Sequence, residues 1–164
     1  MVMHRLTLLL LTTGLIPQPA VLDAEPPCPH SWVDANWMQL GCLLFSSSTG
    51  YGFEDASNYC QENNATLIEI QTEAQREYIT MELYALEAHE DKRRWWTAGT
   101  DLGVEGRWVW MISLTPVGSF MWMETQPNNG LEGNCLYLYP NNDYLGADDD
   151  CRSLHYPICQ SNQK

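Results

Sequence analysis

The sequence predicts an α+β domain with two helices, short strands and long polar loops, held together by disulfide bonds. Two segments with helical spacing lie before residue 90, and from Trp95 onward short apolar runs alternate with clusters of Gly, Asn, Asp and Pro. Helices grouped before strands are typical of α+β folds. Six cysteines follow an apolar leader, and an even number of cysteines in a secreted chain favours disulfides.

Residues 1–24 are predicted to be a secretory signal peptide. Arg5 precedes a short apolar run over residues 6–11, and a basic residue before such a run is typical of these leaders. The run is too short to span a bilayer, so we expect a secreted, extracellular protein without a membrane anchor. Cleavage is expected after Ala24, which leaves a single domain over residues 25–164.

The charge balance limits the classes of partner. The formal net charge is -13, which argues against nucleic acid and against unaided binding to anionic membranes.

The cysteines form no C-x-x-C pair, so a zinc ribbon is not expected. Six cysteines allow many pairings, and spacing alone cannot choose among them. Because their number is even, any oligomer is expected not to be disulfide-linked.

The first predicted helix spans residues 53–64. Glu54 and Asp55 lie in its first turn, where negative charge suits the helix dipole, and its periodicity turns Cys60 toward the core. The helix is followed by Asn64-Ala65-Thr66, an N-glycosylation sequon. We therefore expect Asn64 to lie in an exposed turn and to be glycosylated.

The second predicted helix opens with a capping box formed by Thr72 and Gln75. One apolar stripe is expected to face the core. Its members recur at spacings of three and four: Tyr78, Ile79, Met81, Leu83, Ala85 and Leu86.

Strands are expected in short apolar runs, with polar loops between them. The expected strands span residues 43–45, 67–70, 108–110, 135–139 and 156–159, and the expected loops span residues 128–134 and 140–150.

Five motifs, in a fixed order, resemble those of a long-form C-type lectin domain. They are Cys28-Pro29-x-x-Trp32 with Gly41-Cys42-Leu43-Leu44-Phe45; Trp96-Thr97-Ala98-Gly99; Thr100-Asp101-x-x-x-Glu105-Gly106-x-Trp108-x-Trp110; Gln126-Pro127-Asn128-Asn129; and Tyr156-Pro157-Ile158-Cys159. Each is weak to moderate alone, whereas together they are specific. The sequence from Thr97 to Asp101 looks most like the corresponding segment of secreted arthropod lectins, especially crustacean ones.

The resemblance implies the C-type lectin fold, with small antiparallel sheets, and three disulfide pairs. These are Cys28–Cys42, Cys60–Cys159 and Cys135–Cys151. It also implies a Ca²⁺ ion whose coordination is completed by sugar hydroxyls. Gln126 and Asn128 match two of the ligands, and Ca²⁺ prefers such oxygen donors. Where the family has its next ligand, a Glu, this chain has Gly133, so Glu132 can serve only in a loop one residue shorter.

The family's Trp-Asn-Asp motif corresponds here to Gly146, Ala147 and Asp148. Asp148 keeps the carboxylate, but Ala147 has no side-chain ligand. A register shifted by one residue would place Asp148 and Asp149 in the two ligand positions instead, and this shifted register is favoured. An auxiliary calcium position would take Asp101, Glu105, Asn129 and Glu132.

The expected sugar is of the mannose or N-acetylglucosamine type. In the family, Glu-Pro-Asn favours mannose-type hydroxyls and Gln-Pro-Asp favours galactose-type hydroxyls. Gln126 with Asn128 is a hybrid of the two, and Asn128 keeps the mannose-like half.

Three functions are compared at this stage. The first hypothesis is a Ca²⁺-dependent lectin that recognises microbial surface glycans in innate immunity. The second is a lectin-like domain that binds protein or another non-sugar surface without calcium, in which case the polar loops form no metal site. An enzyme is not expected, because His30, His89 and His155 lack metal-ligand spacing and no nucleophile elbow is present.

Overall fold

The computed structural model describes residues 28–47, 49–87 and 92–161. The predicted signal peptide, residues 1–24, lies outside the described residues, as do His89 and Glu90. Within the described ranges, no helix is both long and apolar enough to cross a membrane.

Helix α1, Phe53–Glu62, begins at the predicted residue and ends two residues early. It buries Phe53, Ala56 and Cys60 against the core, while Glu54 and Asp55 occupy its first turn. Asn64 follows with a φ of 55° and is exposed. The sequon therefore lies in an exposed turn, as expected, and its glycosylation stays a prediction.

The capping box of α2, Glu73–Glu87, is confirmed. The Gln75 backbone N–H donates to Thr72 Oγ1 at 3.2 Å, and Gln75 Oε1 accepts the Thr72 backbone N–H at 3.2 Å. The buried Gln75 side chain also donates to the Met38 carbonyl at 2.9 Å. One residue therefore starts the helix and joins it to the N-terminal hairpin, which spans residues 28–45 and contains the Cys28–Cys42 disulfide.

The predicted apolar stripe of α2 is correct for three residues and wrong for three. Tyr78, Ile79 and Leu83 are buried, whereas Met81 is 62% exposed, Leu86 is 41% exposed and Ala85 is exposed. At 100° per residue, Met81 lies on the face opposite Ile79, and Ala85 lies about 120° away from Ile79. Leu86 lies on the same face as Ile79, but in the last turn, where the core covers it less.

Within the described residues, eight short strands form one connected sheet, and together with the two helices they give the predicted α+β architecture. Along the main path they connect in the order β1-β2-β8-β4-β6-β7, with β3 beside β8 and β5 beside β4. The pairs are antiparallel except β4–β8, which is parallel. The strand bounds are β1 Val33–Asp34, β2 Cys42–Phe45, β3 Thr66–Leu67, β4 Trp95–Thr100, β5 Val109–Trp110, β6 Cys135–Leu138, β7 Gly146–Asp149 and β8 Tyr156–Ser161.

Strand β7 corrects the prediction of a continuous polar loop over residues 140–150. Gly and Asp are poor strand formers, so the local sequence hides this strand. It forms because β6 offers a partner edge, with Cys135 opposite Asp149 and Leu138 opposite Gly146. Burial of Ala147, which is 1% exposed, ties the strand to the core.

The core is centred on Trp96, in the middle of the sheet. Its side chain is fully buried, and its indole Nε1 donates to the Tyr51 carbonyl at 2.8 Å. Phe53 of α1 meets it edge-on, with ring centroids 5.6 Å apart. On its other sides lie Tyr137 and His155, at 6.2 and 4.4 Å. Helix α1 and the sheet are thus packed against one aromatic centre.

Three disulfides link Cys28 to Cys42, Cys60 to Cys159 and Cys135 to Cys151. These are the pairs that the resemblance implies. The Cys60–Cys159 bridge joins residues 99 positions apart and ties α1 to β8. In the chain-entropy description it contributes about 4–5 kcal/mol, against about 3 kcal/mol for each of the two short loops.

Removing the long bridge should therefore harm the protein more than removing the hairpin bridge. We expect Cys60→Ala to prevent secretion, because its bridge joins residues 99 positions apart and ties α1 to β8, whereas the Cys28–Cys42 bridge spans 14 positions. Cys42→Ala should leave a folded, secreted domain with a loosened hairpin. Secreted yield from a eukaryotic host measures the difference, and equal yields of the two variants would contradict it.

Candidate functional site

The Gln126-Pro127-Asn128 tripeptide forms a sharply bent loop between β5 and β6. The Gln126–Pro127 peptide bond is cis, and Thr125 before it has a φ of 70°. The Gln126 backbone N–H donates to the Met123 carbonyl at 3.1 Å, which fixes the start of the bend. Gln126 is half-buried, whereas Asn128 is exposed, so the loop presents its second amide to solvent.

Asp148 holds this loop through hydrogen bonds from both sides of its carboxylate. Oδ1 accepts the Asn128 backbone N–H at 3.0 Å, and Oδ2 accepts the Asn129 backbone N–H at 2.7 Å. The Asn129 side-chain amide donates to the Asp148 carbonyl at 2.6 Å. Asp148 is only 2% exposed, so a buried charge is satisfied by two backbone donors.

Gln126 reaches the same strand from the other end of the loop. The Asp148 backbone N–H points at Gln126 Oε1, 3.5 Å away. Gln126, Asn128 and Asp148 are therefore brought together as expected. An ionised carboxylate has about four acceptor positions, and the two backbone N–H groups occupy one on each oxygen, so further donors or a cation can still approach.

Gly133, not Glu132, lies against Asp148. A Cβ atom placed on Gly133 would be 2.8 Å from Asp148 Oδ2 and only 2.4 Å from Asn129 Cβ. Glu132 is exposed in a 3-10 turn, Gly130–Glu132, inside the predicted loop. Its carboxylate makes no hydrogen bond within the described part of the chain, so the structure does not join Glu132 to the tripeptide.

The strand register is the unshifted one. Asp148 faces the tripeptide, while the Asp149 carboxylate turns away and lies 2.9 Å from His155 Nε2. Successive side chains of a strand alternate between faces, so the two acids cannot both serve the loop. Ala147 is buried beside them and provides no oxygen.

At the expected auxiliary position, one buried carboxylate oxygen lacks a partner. Asp101 is 2% exposed, and its Oδ2 accepts the Gly106 backbone N–H at 2.8 Å. Its Oδ1 is buried without a hydrogen-bond partner, which is unusual and suits a bound cation. Glu105 is exposed, and the Asn129 amide is already bonded to Asp148. Across the described residues, no three His, Cys, Asp or Glu side chains form a cluster that could hold a metal.

His155 is a buried residue that contacts Asp149, the neighbour of Asp148. It is 3% exposed, its Nδ1 lies 2.8 Å from the Leu154 carbonyl, and its ring packs on Tyr137 at 4.7 Å. Burial lowers the pKa of His155 below its usual value, and the Asp149 carboxylate opposes this shift in part. Arg94 acts in the same direction as burial.

The structural role of Asp148 and the contacts of Asn129 and His155 were not expected from sequence. The spacing identifies Asp148 only as an oxygen donor. Its use as a hydrogen-bond acceptor for two loop amides depends on β7, which the sequence does not reveal. No signal in the sequence points to the Asp149–His155 contact.

A disulfide-stapled α+β domain whose loop tripeptide lies on a buried aspartate is the architecture of C-type lectin domains. The profile of the Lectin C-type domain matches residues 49–161, and the chain belongs to this family. Members of the family are generally non-enzymatic carbohydrate-binding proteins.

Two curated relatives are vertebrate proteins. Human "C-type lectin domain family 17, member A" is 29% identical over 133 residues, which cover 81% of this chain but 32% of the relative. Mouse "CD209 antigen-like protein C" is 29% identical over 138 residues, covering 83% of this chain and 70% of the relative. The chain thus spans about a third of the first relative's length. A specific likeness to arthropod lectins is not confirmed by these relatives and stays a prediction.

Two solved structures show the shared fold. The cow carbohydrate-recognition domain of CD23, determined with a GlcNAc2Man3 oligosaccharide, has a TM-score of 0.69 at 23% identity, covering 84% of this chain and 98% of that one. A calcium-independent type II antifreeze protein has a TM-score of 0.67 at 23% identity, covering 84% of this chain and 96% of that one. The same fold therefore occurs in a domain determined with an oligosaccharide and in a protein that is independent of calcium.

Acid should destabilise the domain through His155. Because the folded protein lowers the pKa of His155, the unfolded chain binds the proton more readily below the usual value of 6.5. Burial of the neutral imidazole should therefore contribute to the free energy of unfolding above pH 6.5, and this contribution should be lost as the pH falls below that value. Urea unfolding at pH values of about 7.5 and 5.5 measures the loss.

His155→Gln should show a smaller loss over the same pH interval. The control is His30→Gln, since His30 is exposed in the N-terminal hairpin and should keep the full dependence. A wild-type-like decrease in His155→Gln would contradict the assignment.

Asp148→Asn should loosen the tripeptide loop. The substitution keeps one acceptor oxygen but sets an NH₂ group against a backbone N–H, which should cost about 1.5–3 kcal/mol of stability. Hydrogen exchange at the Asn128 and Asn129 amides should accelerate. Asp150→Asn is the control, because the Asp150 carboxylate accepts hydrogen bonds from Arg152 and none from the backbone N–H groups of Asn128 and Asn129. Equal exchange in the two variants would show that Asp148 does not hold the loop.

Proposed function

We propose that this chain is a secreted, Ca²⁺-dependent carbohydrate-binding protein that recognises microbial surface glycans in innate immunity. The observation that carries the binding function is the tripeptide loop fixed on buried Asp148. The predicted leader and the three disulfides support secretion, because disulfides persist in oxidising compartments. The immune role rests on the family resemblance.

The loop provides the polar groups that a sugar requires. Gln126 and Asn128 each carry one amide oxygen and one NH₂ group, so each can accept and donate hydrogen bonds with vicinal hydroxyls. Asn128 is exposed, and its backbone is fixed by Asp148. A fixed loop spends less ordering entropy on binding than a mobile one.

The oxygen donors fit a weak calcium site. Gln126 Oε1, the Asn128 amide oxygen and the Asp148 carboxylate would hold the ion at the principal position, and the unpartnered Asp101 oxygen supports a second ion nearby. A bound Ca²⁺ would provide the positive charge that orients two sugar hydroxyls. Gly133 and Ala147 provide no side-chain oxygen, so affinity should be low, about 10⁻⁴ to 10⁻³ M.

Sugars of the mannose or N-acetylglucosamine type are the proposed ligands. Asn128 keeps the amide of the mannose-like motif, and Gln126 replaces the acid with an amide. This exchange turns one acceptor-only group into a group that also donates.

The alternative function is recognition of protein or another non-sugar surface without calcium. It is favoured by the two missing oxygens at Gly133 and Ala147, and by Trp37, whose side chain is 69% exposed on the N-terminal hairpin. Exposed aromatic residues are common anchors at such interfaces.

A calorimetric calcium titration of the refolded domain, followed by glycan binding with and without chelator, separates the two functions. We expect weak calcium binding, and glycan binding that needs millimolar calcium. Undiminished glycan binding in excess chelator would overturn the calcium mechanism. Binding of neither calcium nor glycan would favour the alternative.

Asn128→Ala should abolish glycan binding and leave the melting temperature unchanged, because its side chain is exposed and its backbone N–H remains. Asn58→Ala, an exposed position on α1, is the matched control. Asp148→Ala tests binding less cleanly, since it also removes the acceptors for two backbone amides. A greater loss of binding in Asp149→Ala than in Asp148→Ala would contradict the role assigned to Asp148, because the Asp149 carboxylate faces His155.

A further inference from the structure

Three of the eight Lys and Arg residues of the chain are consecutive, although the chain carries 21 acids. They are Lys92, Arg93 and Arg94, which lead into β4 and take no part in the tripeptide loop. Lys92 and Arg94 are exposed, whereas Arg93 is half-buried and lies over the Tyr156 ring at 4.4 Å. The two exposed cations are the ones that a ligand from solvent can reach.

Arg94 is held by aromatic rings instead of a carboxylate. Its guanidinium carbon lies 5.6 Å from the ring centroids of both Tyr137 and Tyr139, and its backbone carbonyl accepts the Tyr156 N–H at 2.9 Å. Attraction to an aromatic ring orients a guanidinium without neutralising its charge. Within the described residues, no carboxylate pairs with Arg94 and no oxygen accepts a hydrogen bond from its side chain, so its N–H donors stay available.

Lys92 is joined to Arg94 through two residues that follow β6. Its Nζ donates to Asn141 Oδ1 at 3.1 Å, and the Asn141 side-chain amide donates to the Tyr139 hydroxyl at 3.4 Å. The ring of the same tyrosine contacts Arg94. In the part of the chain that the structure describes, Lys92 has no carboxylate partner either. These four residues, Lys92, Arg94, Tyr139 and Asn141, form one surface that we call the basic patch.

Arg152 shows how a paired cation of the same protein differs. Its side chain is 90% exposed, and its Nε donates to both carboxylate oxygens of Asp150 at 3.0 and 3.1 Å. These bonds lower the pKa of Asp150 to about 2, so the acid stays ionised and offsets the charge of the arginine. Among the described residues the basic patch has no such carboxylate, and its two charges remain for a ligand.

The two cations fit a single tetrahedral oxyanion. An arginine offers paired N–H groups to sulfate or phosphate oxygens, and a lysine adds a point charge. The net charge of -13 opposes an anion mainly at long range, where salt screens it beyond about 8 Å at physiological ionic strength. A long polyanion would extend past the patch and meet the acids, whereas one sulfate or phosphate ester is small enough to stay on the patch.

The basic patch lies at the other end of β6 from the tripeptide loop. Asp148, which holds the loop, pairs with Leu136, whereas Tyr139 follows Leu138, the last residue of the strand. Each strand residue adds about 3.3 Å, so roughly 10 Å along the strand separates Tyr139 from the residue that pairs with Asp148. An anion on the patch would therefore bind away from the loop and from any calcium that the loop holds.

We propose that the basic patch binds one sulfate or phosphate ester group of an anionic glycan, without calcium and independently of the tripeptide loop. Arg94 and Lys92 contact the ester oxygens, and Tyr139 is a positioning residue that holds Arg94. The inference goes beyond the proposed function, since it requires no sugar at the loop. It adds an anion-binding site to a strongly acidic domain.

The test is an NMR titration of the isotope-labelled secreted protein in excess chelator. The probes are galactose 6-sulfate and mannose 6-phosphate, each compared with its unsubstituted sugar. At least one ester should bind roughly tenfold more tightly than its parent sugar, as expected for charge-assisted hydrogen bonds at an exposed site. The chemical shifts of residues 92–94 and 139–141 should change, and those of residues 126–129 should not. Tighter binding of the sulfate ester would assign sulfated glycans as the source, and tighter binding of the phosphate ester would assign phosphorylated ones.

Arg94→Gln and Lys92→Gln should each weaken ester binding roughly fivefold, because each removes one of the two contacting charges. The control is Arg107→Gln, which removes an exposed cation outside the patch and should change the Kd by less than about twofold. All three side chains are exposed, so melting temperatures should stay at the wild-type value.

The positioning role of Tyr139 has its own pair of variants. Tyr139→Phe keeps the ring beside Arg94 and should retain ester binding. Tyr139→Leu removes the ring and should weaken ester binding roughly threefold, because Arg94 is then held less firmly. Equal affinities of the two variants would show that the ring does not position Arg94.

Equal affinity for an ester and its parent sugar, with both probes, would overturn the anion site. Unchanged ester binding in both Arg94→Gln and Lys92→Gln would also overturn it, and so would a requirement for calcium. An equal loss in Arg107→Gln would indicate a general effect of net charge instead of a site. Because chelator is present throughout, none of these results bears on calcium-dependent binding at the loop, and a failure of the loop site would leave the ester titration unchanged.

Discussion

The parallel pairing of β4 with β8 is the link on which the rest of the structure depends. It sets Trp95 opposite Tyr156 and Trp96 opposite Pro157. On one side of this link lie β2, β3 and α1, which the Cys60–Cys159 bridge closes. On the other side β6 and β7 follow in order and carry Asp148 to the tripeptide loop. The position of the site is therefore set by the successive pairing of β4, β6 and β7, which begins at the buried Trp95 and Trp96 of β4.

Asp148 brings a buried charge to the surface loop without exposing it. Two backbone N–H groups share its carboxylate, and a third donor, the Asn129 amide, bonds its carbonyl. Hydrogen bonds to an ionised acceptor are stronger than those between neutral groups. Asp148 therefore fixes the shape of a loop that belongs to no strand. The same carboxylate retains acceptor positions for a ligand.

The sequence predicts the elements that depend on local signals. The start of α1, the capping box at Thr72 and Gln75, and the fold class follow from spacing, caps and motif order. Strand β4, Trp95–Thr100, lies outside the expected strands. Strand β7 was also missed, because its residues are poor strand formers that pair only when β6 is in place. Half of the α2 stripe was wrong, because Met81 and Ala85 lie off the face of Ile79 and because periodicity does not tell that the core covers Leu86 less in the last turn.

The site was predictable in part for the same reason. Gln126, Asn128 and Asp148 come together as their positions in the motif imply, whereas Glu132 lies apart because Gly133 occupies the space beside Asp148. The contact of Asp149 with His155 joins residues on opposite sides of a turn. Such contacts depend on side-chain direction within a strand, which residue spacing alone leaves open.

Gly133 also limits how this chain could gain a fuller set of ligands. Its missing side chain leaves room for Asn129, whose Cβ lies 2.4 Å from the place that a Cβ of residue 133 would take. A carboxylate introduced at 133 would push against an atom one bond from the backbone, which cannot rotate away. Two positions must change together, 133 to acquire the acid and 129 to release the space, so a single substitution at 133 cannot add this ligand.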